Sequence, residues 1–208
     1  MTGHDPVAAA ALRLFGGVGY DGTTERMIAE TAGVDVAEVR ARGGRTGLYE
    51  AVIADFYAAQ NALLDEMEDK CAPDADGVRD FLSRVLDFYL ANPEEMELWQ
   101  HRRLADAADL ADIDARYRDP FLRRVEELLA RHLSERGVTN LSDYAMLSNV
   151  VTWSLYGFLN GGIKGSGGAT LRPDDPEAVR LFRAQMHRLQ DLVISAGWPS
   201  DASGDDRR

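Results

Sequence analysis

The sequence predicts an all-α protein of about nine helices, and three observations carry that prediction. Apolar residues recur at helical spacing along almost the whole chain. No stretch keeps the period-two alternation of β-branched or aromatic residues that marks a half-buried strand. Glycine, proline and short polar clusters fall between the periodic stretches rather than inside them.

The first helix sets Val7, Ala11, Leu14, Phe15 and Val18 on one face; Gly16, Gly17 and Gly19 weaken its end, and Tyr20-Asp21-Gly22 makes a turn. Thr23 or Thr24 caps a short second helix, with Met27, Ile28 and Thr31 inward, that stops at Gly33. Asp35 and Glu38 resemble a capping box opening a short third helix, with Val36 and Val39 inward and Gly43-Gly44 ending it. From about Thr46 a long helix runs to about Asp69 on the stripe Leu48, Val52, Phe56, Leu63 and Met67, closed by the run from Pro73 to Gly77. Val78–Ala91 follows, then a helix with Pro93 at its first position. After Asp119-Pro120 an amphipathic helix runs from Phe121 to Gly137. Tyr144–Leu159 is apolar nearly all round and must be buried on most sides. Asn160–Asp175 reads as a Gly-rich flexible linker, Pro176–Ala196 as the last helix and Ser200–Arg208 as a disordered tail.

At 208 residues the chain suits one large domain or two small ones and needs no disulfide or structural metal. Its single cysteine, Cys71, excludes an internal disulfide framework and a cysteine-based zinc site. No run approaches the roughly 18 apolar residues of a membrane helix, and the N-terminus lacks a secretory pattern, so the expectation is a cytoplasmic protein with no membrane partner. The net charge of −12 argues against broad coating of nucleic acid or anionic lipid. Residues 1–50 hold five arginines and seven acidic residues, a net of −2, so most of the negative charge lies elsewhere.

Short helix, Gly-containing turn and short helix is the pattern of a helix-turn-helix, whose second helix lies in the DNA major groove. Val39–Arg45 carries Arg40, Arg42 and Arg45 and no acid, a local inversion of sign that suits phosphate contact and guanine recognition. A solvated arginine cluster on a helix end is the other reading.

Leu12-Arg13-Leu14-Phe15, Gly19-Tyr20, Thr23-Thr24, Met27-Ile28-Ala29, Ala32-Gly33-Val34 and Gly47-Leu48-Tyr49-Glu50-Ala51-Val52 together resemble the N-terminal signature of tetracycline-repressor (TetR) type transcriptional regulators. The resemblance implies a DNA-binding domain over residues 1–50 and a helical ligand-binding and dimerisation domain over residues 51–199. It implies a homodimer on a pseudo-palindromic double-stranded operator, released by a small-molecule effector, with no cofactor and no catalysis. Family members usually place a tyrosine near the end of the reading helix, then a histidine or tyrosine, a phenylalanine and a lysine. Here Arg40 stands for the tyrosine, Arg42 for the histidine and Arg45 for the lysine, while the phenylalanine is absent because Arg42 passes directly into Gly43-Gly44.

Carried over residue by residue, Thr24 and Arg42 would meet phosphates, Arg40 a phosphate or a base, and Arg45 a phosphate beside the fourth helix. Val36, Ala37 and Ala41 offer only apolar base contacts. In the body, Phe88, Trp99, Tyr117, Phe121 and Trp153, with His101 and Asn149 as polar anchors, would line a cavity for a mostly apolar ligand; aromatics at this spacing also simply fill cores. Tyr144–Leu159 and Pro176–Ala196 would form the dimer interface. The rival expectation is a dimer that keeps the fold, has lost specific DNA binding, and binds a ligand or protein. The acids at 106, 109, 112 and 114 lack an accompanying histidine and read as solvated surface; residues 106 and 109 would share a helical face.

Overall fold

Asp5 opens the first helix: its carboxylate accepts from the Val7 N–H at 3.0 Å, and Pro6 takes the first helical position, where no N–H is needed. This computed structural model describes residues 5–70, 75–134, 141–165 and 167–196, and nearly all regular structure in them is helical. The helices are α1 (Pro6–Gly22), α2 (Glu25–Ala32), α3 (Val36–Ala41), α4 (Gly44–Lys70), α5 (Ala75–Leu90), α6 (Pro93–Arg103), α7 (Asp119–Ser134), α8 (Leu141–Gly161) and α9 (Pro176–Ala196). The chain is thus all-α, as its periodicity predicts. The tail Ser200–Arg208 and Cys71 lie outside the described residues.

Helix α1 breaks at Gly19, whose φ of 77° and ψ of 170° only glycine adopts readily, and a separate short turn runs on to Gly22, as its glycines predict. Two local expectations are corrected. Asp106 and Asp109 do not share a helical face, because α6 stops at Arg103 and a turn-rich segment follows, with Ala105 and Ala107 at φ 68° and 55°. Within the Gly-rich linker, β1 (Ile163–Lys164) pairs antiparallel with β2 (Thr170–Leu171), so this segment is a small hairpin rather than a free tether. The Lys164 ammonium reinforces it by donating to the Thr170 hydroxyl at 2.8 Å.

Two compact units make up the chain. The first comprises Met1–Lys70 and Asp87–Glu127. Its core gathers Val7 and Phe15 from α1, Ile28 from α2, Val39 from α3, Tyr49 and Ile53 from α4, and Leu98 from α6, all nearly or fully buried. Phe15, Tyr20 and Tyr49 pack ring against ring, with centroids 5.1 Å apart for Phe15–Tyr49 and 4.8 Å for Tyr20–Tyr49. Burial pushes the Tyr49 phenol up to about 12, while the Arg102 charge pulls the other way. Helix α1 packs closely on α6: a Cβ on Gly16 would stand 2.9 Å from the Glu94 carbonyl oxygen.

The second unit comprises Cys71–Leu86 and Leu128–Arg208. Leu155, Phe158, Ala178 and Phe182 are buried within it, and the Phe158 and Phe182 rings stack with centroids 4.3 Å apart. Arg79 ties the start of α5 to α9 through Asp191 at 2.6 Å. One stripe of α8 stays open: Met146 is 54% and Trp153 50% exposed.

Candidate nucleic-acid interface

Thr24 starts α2. Its hydroxyl oxygen accepts from the Met27 N–H at 3.2 Å, which satisfies one of the free N–H groups of the first turn, and the side chain is exposed. Its neighbour Thr23 is fully buried and donates its hydroxyl to the Gly19 carbonyl at 2.6 Å. Helix α2 stops at Gly33, which sits in the left-handed region at φ 71°. Asp35 then caps α3, accepting from the Ala37 N–H at 2.7 Å. The capping box is not completed, because the Glu38 carboxylate pairs with Arg42 at 3.0 Å instead of returning to the cap. Helix α3 has six residues; Val39 is buried, Val36 half-buried, and Ala37, Arg40 and Ala41 are exposed.

The three arginines between Val39 and Arg45 make three different sets of contacts. Arg45 turns inward. Its Nη1 donates to the carbonyls of Tyr20 and Thr23, each at 3.1 Å, and its guanidinium lies 4.0 Å above the Tyr20 ring. Arg42 joins Asp5 at 3.1 Å and Glu38 at 3.0 Å, fastening α3 to the start of α1. Arg40, with 70% of its side chain exposed, donates Nε–H to Glu25 Oε2 at 2.9 Å.

The inversion of sign seen along Val39–Arg45 is therefore balanced in space. Residues 23–45 contain four arginines and four carboxylates. Arg26 pairs with Glu30, Arg40 with Glu25, and Arg42 with Glu38 and Asp5. Sequence distance hid these partners: Glu25 precedes Arg40 by 15 residues and Asp5 precedes Arg42 by 37.

Glycine shapes the junction between α3 and α4. Gly43 and Gly44 both have positive φ, 89° and 65°. A Cβ on Gly47 would stand 2.9 Å from the Arg42 carbonyl oxygen, and one on Gly44 would stand 2.5 Å from Glu25 Oε1.

Behind the turn into α2, the kink at Gly19 is held from the body. Asp106 accepts from the Tyr20 N–H at 2.7 Å and the Asp21 N–H at 2.9 Å. The His101 ring donates Nε2–H to the Gly16 carbonyl at 2.8 Å. Arg102 fixes the segment carrying Asp106, donating to the carbonyls of Ala107 at 3.2 Å and Leu110 at 2.7 Å and pairing with Asp114. The acidic run that reads as solvated surface thus contains two anchors, Asp106 on the kink and Asp114 on Arg102. No sequence signal separates Asp106 from Asp109 or Asp112, because its partners are some 85 residues away.

Of the expected ligand-lining residues, Phe88, Trp99, His101, Tyr117 and Phe121 belong to the first unit, and Asn149 and Trp153 to the second. Phe88 stacks on Phe56, centroids 5.5 Å apart, whereas Tyr117 meets the neighbouring α4 residue Tyr57 edge-on at 5.6 Å and bonds Glu50 and Arg116. Phe121 is buried in the same unit. Trp99 packs against the helix-turn-helix core, and His101 is committed to Gly16. Asn149 and Trp153 belong to the second unit, on the exposed stripe of α8. Sequence reasoning passed over His187 Nε2 and Gln190 Nε2, one turn apart on α9, which are buried and have no hydrogen-bond partner among the described residues.

Three helices packed around a kinked turn, with α3 exposed beside a capped α2 and a helical body beyond, match a known architecture. The ketosteroid transcriptional regulator KstR2 of Mycobacterium tuberculosis superposes with a TM-score of 0.70 at 15% identity, covering 94% of this chain and 96% of that one. PfmR, a TetR-family regulator from Thermus thermophilus, does so with a TM-score of 0.66 at 19% identity, covering 94% and 100%. This is the TetR-family fold. The fatty acid degradation regulator FadR of Bacillus halodurans shares it, with a TM-score of 0.65 at 13% identity over 89% of this chain and 93% of that one. No family model and no curated protein matches the sequence. Within this fold the segment from Thr23 to Arg45, with α2 and α3, has the shape of a helix-turn-helix. Among the described residues no helix is long and apolar enough to cross a membrane.

Proposed function

We propose that the protein is a transcriptional regulator that binds a pseudo-palindromic DNA operator as a homodimer through α2 and α3, and that a small, mostly apolar effector releases it. The observation that carries this reading is the exposed surface of Thr24, Ala37, Arg40 and Ala41 on a helix-turn-helix of TetR fold. Its division of labour is residues 1–50 for DNA and residues 51–199 for effector and partner subunit. The open stripe of Met146, Asn149 and Trp153 on α8 supports subunit pairing there, where a second copy covers it. His187 Nε2 and Gln190 Nε2 support an effector with a polar group, since a buried group without a partner costs about 1–3 kcal/mol until something bonds it. Two neighbours in fold are named for a ketosteroid and a fatty acid, which is consistent with an apolar effector.

The pairing of every arginine between residues 23 and 45 with carboxylates or carbonyls favours a second reading, a TetR-fold dimer that binds ligand or protein but no specific DNA. The two separate in one experiment. The purified chain is offered a randomised duplex library, and selected and scrambled sequences are compared by fluorescence anisotropy across a salt series. The regulator reading expects an enriched palindrome bound at least 1,000-fold more tightly than scrambled DNA, on the order of the usual specificity ratio. An unenriched library with equal, weak binding to every duplex selects the second reading.

A further inference from the structure

The arginine pairings leave one side chain equipped to read a base. We propose that Arg40 reads a guanine in the major groove, and that Glu25, seated over Gly44, is the positioning residue that aims it. This rests on the regulator reading above and identifies the base that reading would have the protein recognise.

The guanidinium is planar, with five N–H donors in fixed directions. Fixing Nε–H therefore fixes the plane of the whole fork. Glu25 Oε2 accepts Nε–H at 2.9 Å, and among the described residues the two Nη groups have no partner. Those end-on donors are the pair that can span guanine O6 and N7. Arg40 stands on α3, whose side of the fold enters the groove, and 70% of its side chain is exposed. Arg42 and Arg45 lack this freedom, since the first is tied to Asp5 and Glu38 and the second is turned onto Tyr20 and Thr23. Arg26 is exposed but belongs to α2 and pairs with Glu30.

Glu25 holds its place through the shape of the α3–α4 junction. Its Oε1 occupies the spot 2.5 Å from where a Cβ on residue 44 would stand, so a side chain there would evict the carboxylate. Gly44 also has φ 65°, a conformation glycine adopts without strain. Glycine at this position thus permits both the turn and the close approach.

The same pair argues for a base rather than a phosphate. Glu25 cancels the charge of Arg40, and its carboxylate would repel a phosphate brought alongside. A guanine edge is uncharged and rewards directed donors instead of net charge.

The test uses the duplex selected by the full chain, with each guanine replaced in turn by 7-deazaguanine, which lacks the N7 acceptor. Binding of wild type, Arg40→Ala, Arg40→Lys and Glu25→Gln is measured over a salt series, and circular dichroism melting checks each fold. At one guanine per half-site, the replacement is expected to weaken wild-type binding on the order of 10-fold. Arg40→Ala should lose that sensitivity and accept any base there, and Arg40→Lys should not restore it. Glu25→Gln should reduce the preference with the salt slope and fold retained. The proposal is overturned if Arg40→Ala keeps the guanine preference. It is equally overturned if that variant binds all sequences more weakly with a salt slope lower by about one, the mark of a lost phosphate contact. A wild type that selects no sequence overturns the regulator reading and this proposal with it.

Discussion

The two sides of the helix-turn-helix are built on opposite principles. On the inward side, from Gly19 to Thr23, backbone and side chains are tied down by Asp106, Arg45 and the Thr23 hydroxyl. On the outward side, among the described residues, Thr24 bonds only its own helix and Arg40 bonds one carboxylate, leaving its Nη donors free. Arg40 and Arg45 lie five positions apart in one cluster, yet one is exposed on a single carboxylate and the other braces the turn. Nearness in sequence says little about role when one residue ends a short helix and the other begins a long one, with two glycines of positive φ between them.

The hardest blow to the inward side is Gly19→Ala. The added Cβ would stand 2.9 Å from Asp106 Oδ1, and the backbone conformation is one that residues other than glycine rarely adopt. A loss of roughly 3 kcal/mol in chemical denaturation is expected. A smaller loss, about 2 kcal/mol, is expected for Asp106→Ala, while Asp109→Ala should stay within about 0.5 kcal/mol. Equal effects at 106 and 109 would show that the acidic segment does not anchor the kink.

The gentlest probe lies on α6, the inward side's other support. Desolvation raises the Glu95 carboxyl above its ordinary range, with Glu94 adding to the effect. A folded-state pKa above the unfolded one means that the folded protein binds the proton more tightly. Stability contributed by this group therefore rises as pH falls through the carboxylate range and is lost as pH rises. Glu95→Gln should raise the melting temperature at pH 7, with the gain shrinking toward pH 4. A gain that does not change with pH would mean that the carboxylate's charge is not what costs stability.

Much of the fold was legible because its signals are local. Helical spacing, Pro93, Gly33 and the caps at Thr24 and Asp35 lie within a few residues of what they control. The kink at Gly19 was only half legible: its glycines are visible, but what holds it is Asp106, 87 positions later. The site was least legible. The arginines were visible, whereas their partners Glu25, Glu38 and Asp5 are decided by packing. Spacing on a helix likewise cannot tell a residue that fills a core from one that lines a cavity, so the ligand set was not legible residue by residue.

The most direct test compares Arg40→Ala with Arg45→Ala for both thermal unfolding and binding to the selected operator. Arg45→Ala should cost about 1–2 kcal/mol of stability through two lost carbonyl bonds and the lost contact with Tyr20. Arg40→Ala should unfold within about 0.5 kcal/mol of wild type yet lose discrimination between operator and scrambled DNA. The account is contradicted if Arg40→Ala is the less stable variant and still discriminates, or if Arg45→Ala melts like wild type.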